Sequence, residues 1–179
     1  AHYARAYAWH RGGYPDKANE EVAKLLAADP HDPYFLELQG QILLEGGQPA
    51  RAIPPLREAV ARSNNTPLIA SLLGDALIAS EDPKNLDEAA QVLKVAVQRD
   101  RENPQAWYNL GLVYSRMGDE PRAQLASAER FAMEGNPQAA AANAELAMHG
   151  IPSGTPDYIR AQDIALTARA DAERGRKRR

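Results

Sequence analysis

The stretch Trp107-Tyr-Asn-Leu-Gly-Leu-Val-Tyr114, followed by Gly118 and then Ala123, decides the fold. Trp107, Leu110 and Tyr114 recur at the spacing that lines residues up along one face of a helix. Gly111 lies among them without a side chain, so a second helix can approach closely there. Gly118 stops the helix where the chain must reverse. Such a pair of helices cannot cover its own apolar face, which implies stacked neighbours and weaker copies elsewhere in the chain.

The copies are present. Gly40 sits in Leu36-Glu-Leu-Gln-Gly-Gln-Ile-Leu43 and Gly74 in Leu72-Leu-Gly-Asp-Ala-Leu77, 34 residues apart, and the turn glycines Gly13 and Gly47 keep the same interval. Gly74 to Gly111 is 37 residues, and the excess falls in the polar loop Ser80-Glu-Asp-Pro-Lys-Asn-Leu86, where insertions are tolerated. A W-x2-L-G-x2-Y helix, a turn glycine, an alanine-bearing second helix and this period resemble the tetratricopeptide repeat. The resemblance implies an all-α fold, an α-α superhelix or right-handed solenoid, with about four repeats, a half-repeat and a C-terminal capping helix. The repeats read as 1–32, 33–65, 66–102 and 103–135, the half-repeat as 136–150, the cap as 155–172, and 173–179 as a basic, disordered tail without apolar residues.

Second helices are expected to face inward through Ala18, Val22 and Leu25; Ala52, Leu56 and Ala59; and Ala89, Leu93 and Ala96. Pro54-Pro55 predict that the helix near 49–62 starts late or is kinked, because proline past the first turn loses hydrogen bonds. Thr66-Pro67 reads as a capping residue followed by a first helical residue. In the helix near 120–134, Ser127 replaces a bulky apolar residue and Arg130 an alanine, while Phe131 and Gly135 match the tyrosine and turn glycine of a first helix. That helix therefore closes the fourth repeat and opens the half-repeat, whose partner (137–148) carries Ala140, Ala144 and Ala147. Thr155 is the expected cap of the last helix, with Asp157 at its positive end.

Composition narrows function. The net charge is −3, yet residues 174–179 hold five of the 21 basic residues, leaving 1–173 with 16 against 24 acids, a net of −8. A body of that sign argues against nucleic acid as partner. There is no cysteine, which excludes disulfides and thiolate chemistry. No apolar run approaches the roughly 20 residues of a membrane span. The four histidines, His2, His10, His31 and His149, never fall one helical turn apart, and no H-E-x-x-H, G-x-S-x-G or phosphate-binding loop occurs. No catalytic residue, metal site or cofactor is expected in this chain.

Stacked first helices line a groove, and the register from Gly40, Gly74 and Gly111 assigns its residues. They are Tyr3, Tyr7 and His10; Tyr34, Glu37 and Gln41; Leu68, Ser71, Asp75 and Ile78; and Tyr108, Asn109 and Leu112. Tyrosine combines flat contact area with a hydroxyl at low entropic cost, which suits recognition of a protein or peptide. Some repeats of this family grip a terminal carboxylate with Lys, Asn and Arg. The matching positions here hold Tyr3, Tyr7, Leu38, Asn109 and Gln105, and only Asn109 fits, so that mode is not expected.

A narrower resemblance lies in Pro33-Tyr-Phe-Leu-Glu-Leu-Gln-Gly-Gln-Ile-Leu43, in Gly47-Gln-Pro-Ala-Arg-Ala-Ile-Pro-Pro-Leu56 and in Tyr158-Ile-Arg-Ala-Gln-Asp-Ile164. These look like the C-terminal repeat region of bacterial M48-type zinc metalloproteases. That resemblance implies an exported, envelope-located scaffold that positions substrates or tethers a protease domain. H-E-x-x-H and zinc would lie upstream of Ala1, where the chain opens in mid-pattern like a piece of a longer polypeptide. The alternative is a stand-alone adaptor with no protease attached.

Overall fold

A computed structural model describes residues 1–177. Among the described residues the regular structure is ten α-helices and one short 3-10 turn, Pro83–Asn85, with no strand. The chain forms two compact units, Ala1–Ala96 and Val97–Arg179, where the sequence reads as one array.

The first unit holds α1 (His2–Arg11), α2 (Pro15–Ala28), α3 (Pro33–Glu45), α4 (Pro49–Arg62), α5 (Pro67–Ala79) and most of α6 (Leu86–Arg99). Helices α1 and α2 pack as a pair, as do α3 and α4; α2 meets α3, α4 meets α5, and the first helices α1, α3 and α5 adjoin in turn. Its interior is aliphatic and close-packed: Ala18, Ala52, Leu56, Ala59, Ala89 and Leu93 are 0% exposed. Leu25 is only half-buried, and Leu26 joins Val22, Leu38 and Ile42 in the core.

The second unit holds α7 (Pro104–Arg116), α8 (Glu120–Met133), α9 (Pro137–Gly150) and α10 (Pro156–Lys177). Helix α8 packs on α7 and also on α9 and α10. Leu125 and Ala128 join Ala140, Ala144, Ala147, Ala161 and Ile164 in one core. Buried alanines bring α8, α9 and α10 together with little side-chain volume between them.

Helix starts follow a single rule. Proline occupies the first or second position of α2, α3, α4, α5, α7, α8 and α9, where its missing N–H costs nothing. Asp32, Asn103, Asp119 and Asn136 accept a backbone N–H of the first turn, each such cap contributing about 1 kcal/mol. Thr66 occupies the cap position but does not cap; its hydroxyl donates to the Ser63 carbonyl at 2.9 Å instead. Thr155 does cap, its Oγ1 accepting from the Tyr158 N–H.

Two expectations are corrected. Of the two outcomes expected for α4, a late start or a kink, the late start is overturned, since the helix begins at Pro49 and contains Pro54 and Pro55. The prolines deprive only the carbonyls of Ala50 and Arg51 of their donors, and these residues belong to the exposed first turn, where water can replace the lost bonds. Helix α10 extends through Glu173 to Lys177, across most of the stretch expected to be disordered. Glu, Arg and Lys favour helix, and Arg174 pairs with Asp171 at 2.6 Å one turn back. Arg178 and Arg179 lie outside the described residues.

The turns after α1, α3, α7 and α8 use Gly13, Gly47, Gly118 and Gly135 at positive φ. The equivalent turn after α5 carries Glu81, with φ 55°. A left-handed non-glycine residue costs about 1–2 kcal/mol, partly offset by the greater freedom of glycine in the unfolded chain. Glu81→Gly is therefore expected to raise stability by about 0.5–1 kcal/mol, measured by chemical denaturation; an unchanged or lower midpoint would contradict this.

Candidate functional site

In the first unit the assigned groove residues lie on α1, α3 and α5, three helices that adjoin one another. Tyr3, Tyr7, Tyr34 and Leu68 are 41%, 44%, 55% and 67% exposed, unusually open for such large apolar side chains. Glu37, Gln41, Ser71 and Asp75 are half-buried. The 34-residue register puts Tyr3, Glu37 and Ser71 at equivalent positions on successive helices, and Tyr7, Gln41 and Asp75 likewise.

Tyr3 is the best-defined point. Its ring lies 6.3 Å from that of Phe35, a neighbour the register did not pick out. Burial pushes the Tyr3 hydroxyl above its ordinary value, with further contributions from Glu37, Tyr7 and Asp32, so Tyr3, Tyr7 and Glu37 share one electrostatic neighbourhood. Burial also raises the Glu37 carboxyl.

Asp75 is pushed by burial from 3.8 up to about 6. The folded chain thus holds a proton that the unfolded chain has released between those values, and stability falls as pH rises through that window. The loss is complete above pH 6 and amounts to about 2 kcal/mol, allowing for the solvated part of the side chain. Asp75→Asn is expected to stabilise by that amount at pH 7.5 and to make little difference at pH 3.5. Denaturant melts at the two pH values check it; equal effects at both would refute the burial argument.

Three assigned residues do not line an open face. The His10 side chain is 8% exposed and its Nε2 pairs with Glu45 at 2.9 Å, and Glu45 also accepts from Gln41 at 2.9 Å. Ile78 is 9% exposed and belongs to the core. In the second unit Asn109 is 6% exposed, its Oδ1 accepting from Gln105 Nε2 at 3.1 Å. The one position compatible with a carboxylate grip is therefore internal.

Tyr108, 50% exposed, does stand open, and Leu112 beside it is half-buried. A recess of about 250 Å³ runs beside Tyr108, lined by Pro104, Gln105, Arg130 and Glu134. The Arg130 guanidinium lies over the Tyr108 and Phe131 rings, at 5.7 and 4.2 Å, and pairs with Glu134 at 2.9 Å. A second recess, about 330 Å³, lies where α10 passes α8 and α9, with Arg160, Asp163, Ile164, Thr167 and Asp171 on its α10 side. Neither recess was visible from the register. The signal for the first was Arg130 at an alanine position; the second had none.

Among the described residues no group of three or more His, Cys, Asp or Glu side chains is placed to hold a metal ion, and no helix is long and apolar enough to cross a membrane. What the geometry offers is a contact surface of open aromatic rings and half-buried polar groups.

Two sequence comparisons bear directly on this architecture. Residues 3–67 match the family model described as tetratricopeptide repeat, and residues 84–118 the one described as TPR repeat. These helix pairs are tetratricopeptide repeats. Solved structures share the fold. A crystal structure of MamA is 23% identical over 96% of each chain, with a TM-score of 0.68. TTC0263, a thermophilic TPR protein of Thermus thermophilus, is 22% identical over 93% of this chain and 100% of its own, with a TM-score of 0.56. YrrB, described as a TPR protein with an unusual peptide-binding site, is 21% identical over 83% of this chain and 71% of its own, with a TM-score of 0.67. No curated protein sequence matches the chain.

Proposed function

We propose that this TPR domain is a non-catalytic scaffold that binds a protein or peptide segment across the faces of its first helices. The observation that carries the reading is the set of open side chains on α1, α3 and α5, with Tyr3, Tyr7, Tyr34 and Leu68 all at least 41% exposed. Large apolar side chains left open on adjoining helices offer contact area, and its burial by a partner is favourable by about 25 cal/mol per Å². The peptide-binding site described for YrrB supports the same use of the fold.

Selection of a random-peptide phage library on the immobilised full chain tests this. The expected result is an enriched pool whose capture falls at least tenfold on Tyr7→Ala/Tyr34→Ala, with thermal unfolding unchanged. No enrichment, or enrichment indifferent to both tyrosines, would refute it.

The finer reading is that this scaffold serves an M48-type zinc peptidase of the bacterial cell envelope, with zinc and catalysis in a separate upstream domain. Its support is the run Pro33–Leu43 with the phrases at 47–56 and 158–164. The genomic frame upstream of Ala1 decides it: H-E-x-x-H there supports the peptidase, and a frame without it makes the chain a stand-alone adaptor.

A further inference from the structure

We propose that the segment held by the first-helix face of the first unit is basic, with lysine or arginine side chains seated against the Glu37 and Asp75 carboxylates and across the neighbouring tyrosine rings. This rests on the peptide-binding reading above and adds the chemistry of the partner.

Charge complementarity argues for it. The eight face positions on α1, α3 and α5 that remain once His10 and Ile78 are set aside include two carboxylates and neither lysine nor arginine. Four of the nine lysines and arginines of this unit are engaged in ion pairs elsewhere. Arg5 and Lys24 hold Glu21 at 3.1 and 2.7 Å, Arg57 holds Glu88 at 2.7 Å, and Arg62 holds Glu58 at 2.7 Å. Glu37 takes part in none of these hydrogen bonds or ion pairs, although it is half-buried and its carboxyl is raised by that burial. A carboxylate drawn partly out of water without a cation is stabilised by any ligand that supplies one.

Two further observations converge. One repeat beyond Glu37, at the equivalent position, the Ser71 hydroxyl oxygen is enclosed and has no hydrogen-bond partner among the described residues. The face thus leaves polar capacity unused on two successive helices. Beside Glu37 stand Tyr3 and Tyr7, rings whose faces attract cations. The chain already uses this chemistry internally, with Lys17 Nζ 4.3 Å from the centre of the Trp9 ring. An acidic segment would instead bring like charge against two carboxylates already disfavoured by burial.

The random-peptide selection separates the two levels. The expected pool is rich in Lys and Arg, binds at least tenfold more weakly to Glu37→Gln/Asp75→Asn, and weakens as salt is raised from 50 to 300 mM. Both substitutions are near-isosteric and remove a burial penalty, so thermal unfolding of that variant at or above the parent temperature is the folding control. An enriched pool that depends on Tyr7 and Tyr34 but is acidic or uncharged would overturn this proposal and leave the peptide-binding reading standing. A pool that depends on neither tyrosine would overturn both.

Discussion

Gly74→Ala and Gly40→Ala are each expected to lower stability by about 2–3 kcal/mol, whereas Gly111→Ala is expected to leave it unchanged or raise it by up to about 1 kcal/mol. A methyl group at Gly74 would lie 2.6 Å from Leu93 Cγ, and one at Gly40 within 2.5 Å of Leu56 Cδ2. Both leucines are 0% exposed and have nowhere to go. At Gly111 the same methyl group meets Ala126 Cβ at 3.4 Å and Ser127 Oγ at 3.9 Å, an ordinary contact. The difference lies in the partner helix. Ser127 stands sixteen residues beyond Gly111, as Leu56 does beyond Gly40, so the serine has vacated the space a leucine fills. Gly111 then gains helix propensity from a methyl group without a collision. Urea melts of the three variants check this, and a Gly111→Ala loss as large as that of Gly74→Ala would show that Ser127 does not relieve the contact.

Arg160→Ala is expected to cost about 3 kcal/mol at neutral pH, the lower end of the range for breaking a buried ion pair, because the arginine itself is partly solvated. Glu129, on α8, is 5% exposed. Arg160, on α10, reaches it through two parallel bonds, Nε to Oε1 at 2.6 Å and Nη2 to Oε2 at 2.7 Å. The pairing with Glu129 raises the Arg160 guanidinium above its ordinary value. Truncation leaves a carboxylate in the alanine-lined interior with nothing to neutralise it. Glu129→Gln added to Arg160→Ala should recover much of the loss. Denaturation of the parent, both single variants and the double variant at neutral pH supplies the cycle. A coupling near zero would mean that the pair is held in place by packing and contributes little itself.

These two results bear on what a reader of the sequence can and cannot see. Helix starts were legible, because proline after a capping Asp or Asn has one cheap place to go. The inward alanines, and the inward leucines apart from Leu25, were legible from spacing alone. Ser127 was visible as a departure from the pattern, but its consequence for Gly111 emerges only when α7 and α8 are placed together. Glu129 was not legible as a buried residue, since its burial depends on an arginine 31 positions away on another helix. Glu21 is similar: it is 9% exposed, and Lys24, His2 and Arg5 together hold its carboxyl down at about 2.

The candidate face followed the same division. Register alone placed Tyr3, Tyr7, Tyr34 and Leu68, because exposure on a first helix depends on local phase. Register could not tell that His10 is paired off by Glu45, or that Ile78 and Asn109 turn into the interior. Those outcomes depend on how neighbouring helices close around each position. The prolines of α4 misled in the same way. Two prolines early in a helix argue for a delayed start, yet their cost falls on carbonyls that water can reach.

The most direct test of the account is site-specific photocrosslinking with the strongest peptide from the selected pool. A photoreactive phenylalanine analogue at Tyr7 or Tyr34 should capture that peptide, and the same analogue at the exposed α6 positions Gln91 or Lys94 should not. Capture from α6 with none from Tyr7 or Tyr34 would contradict the claim that the first-helix face is where this domain binds.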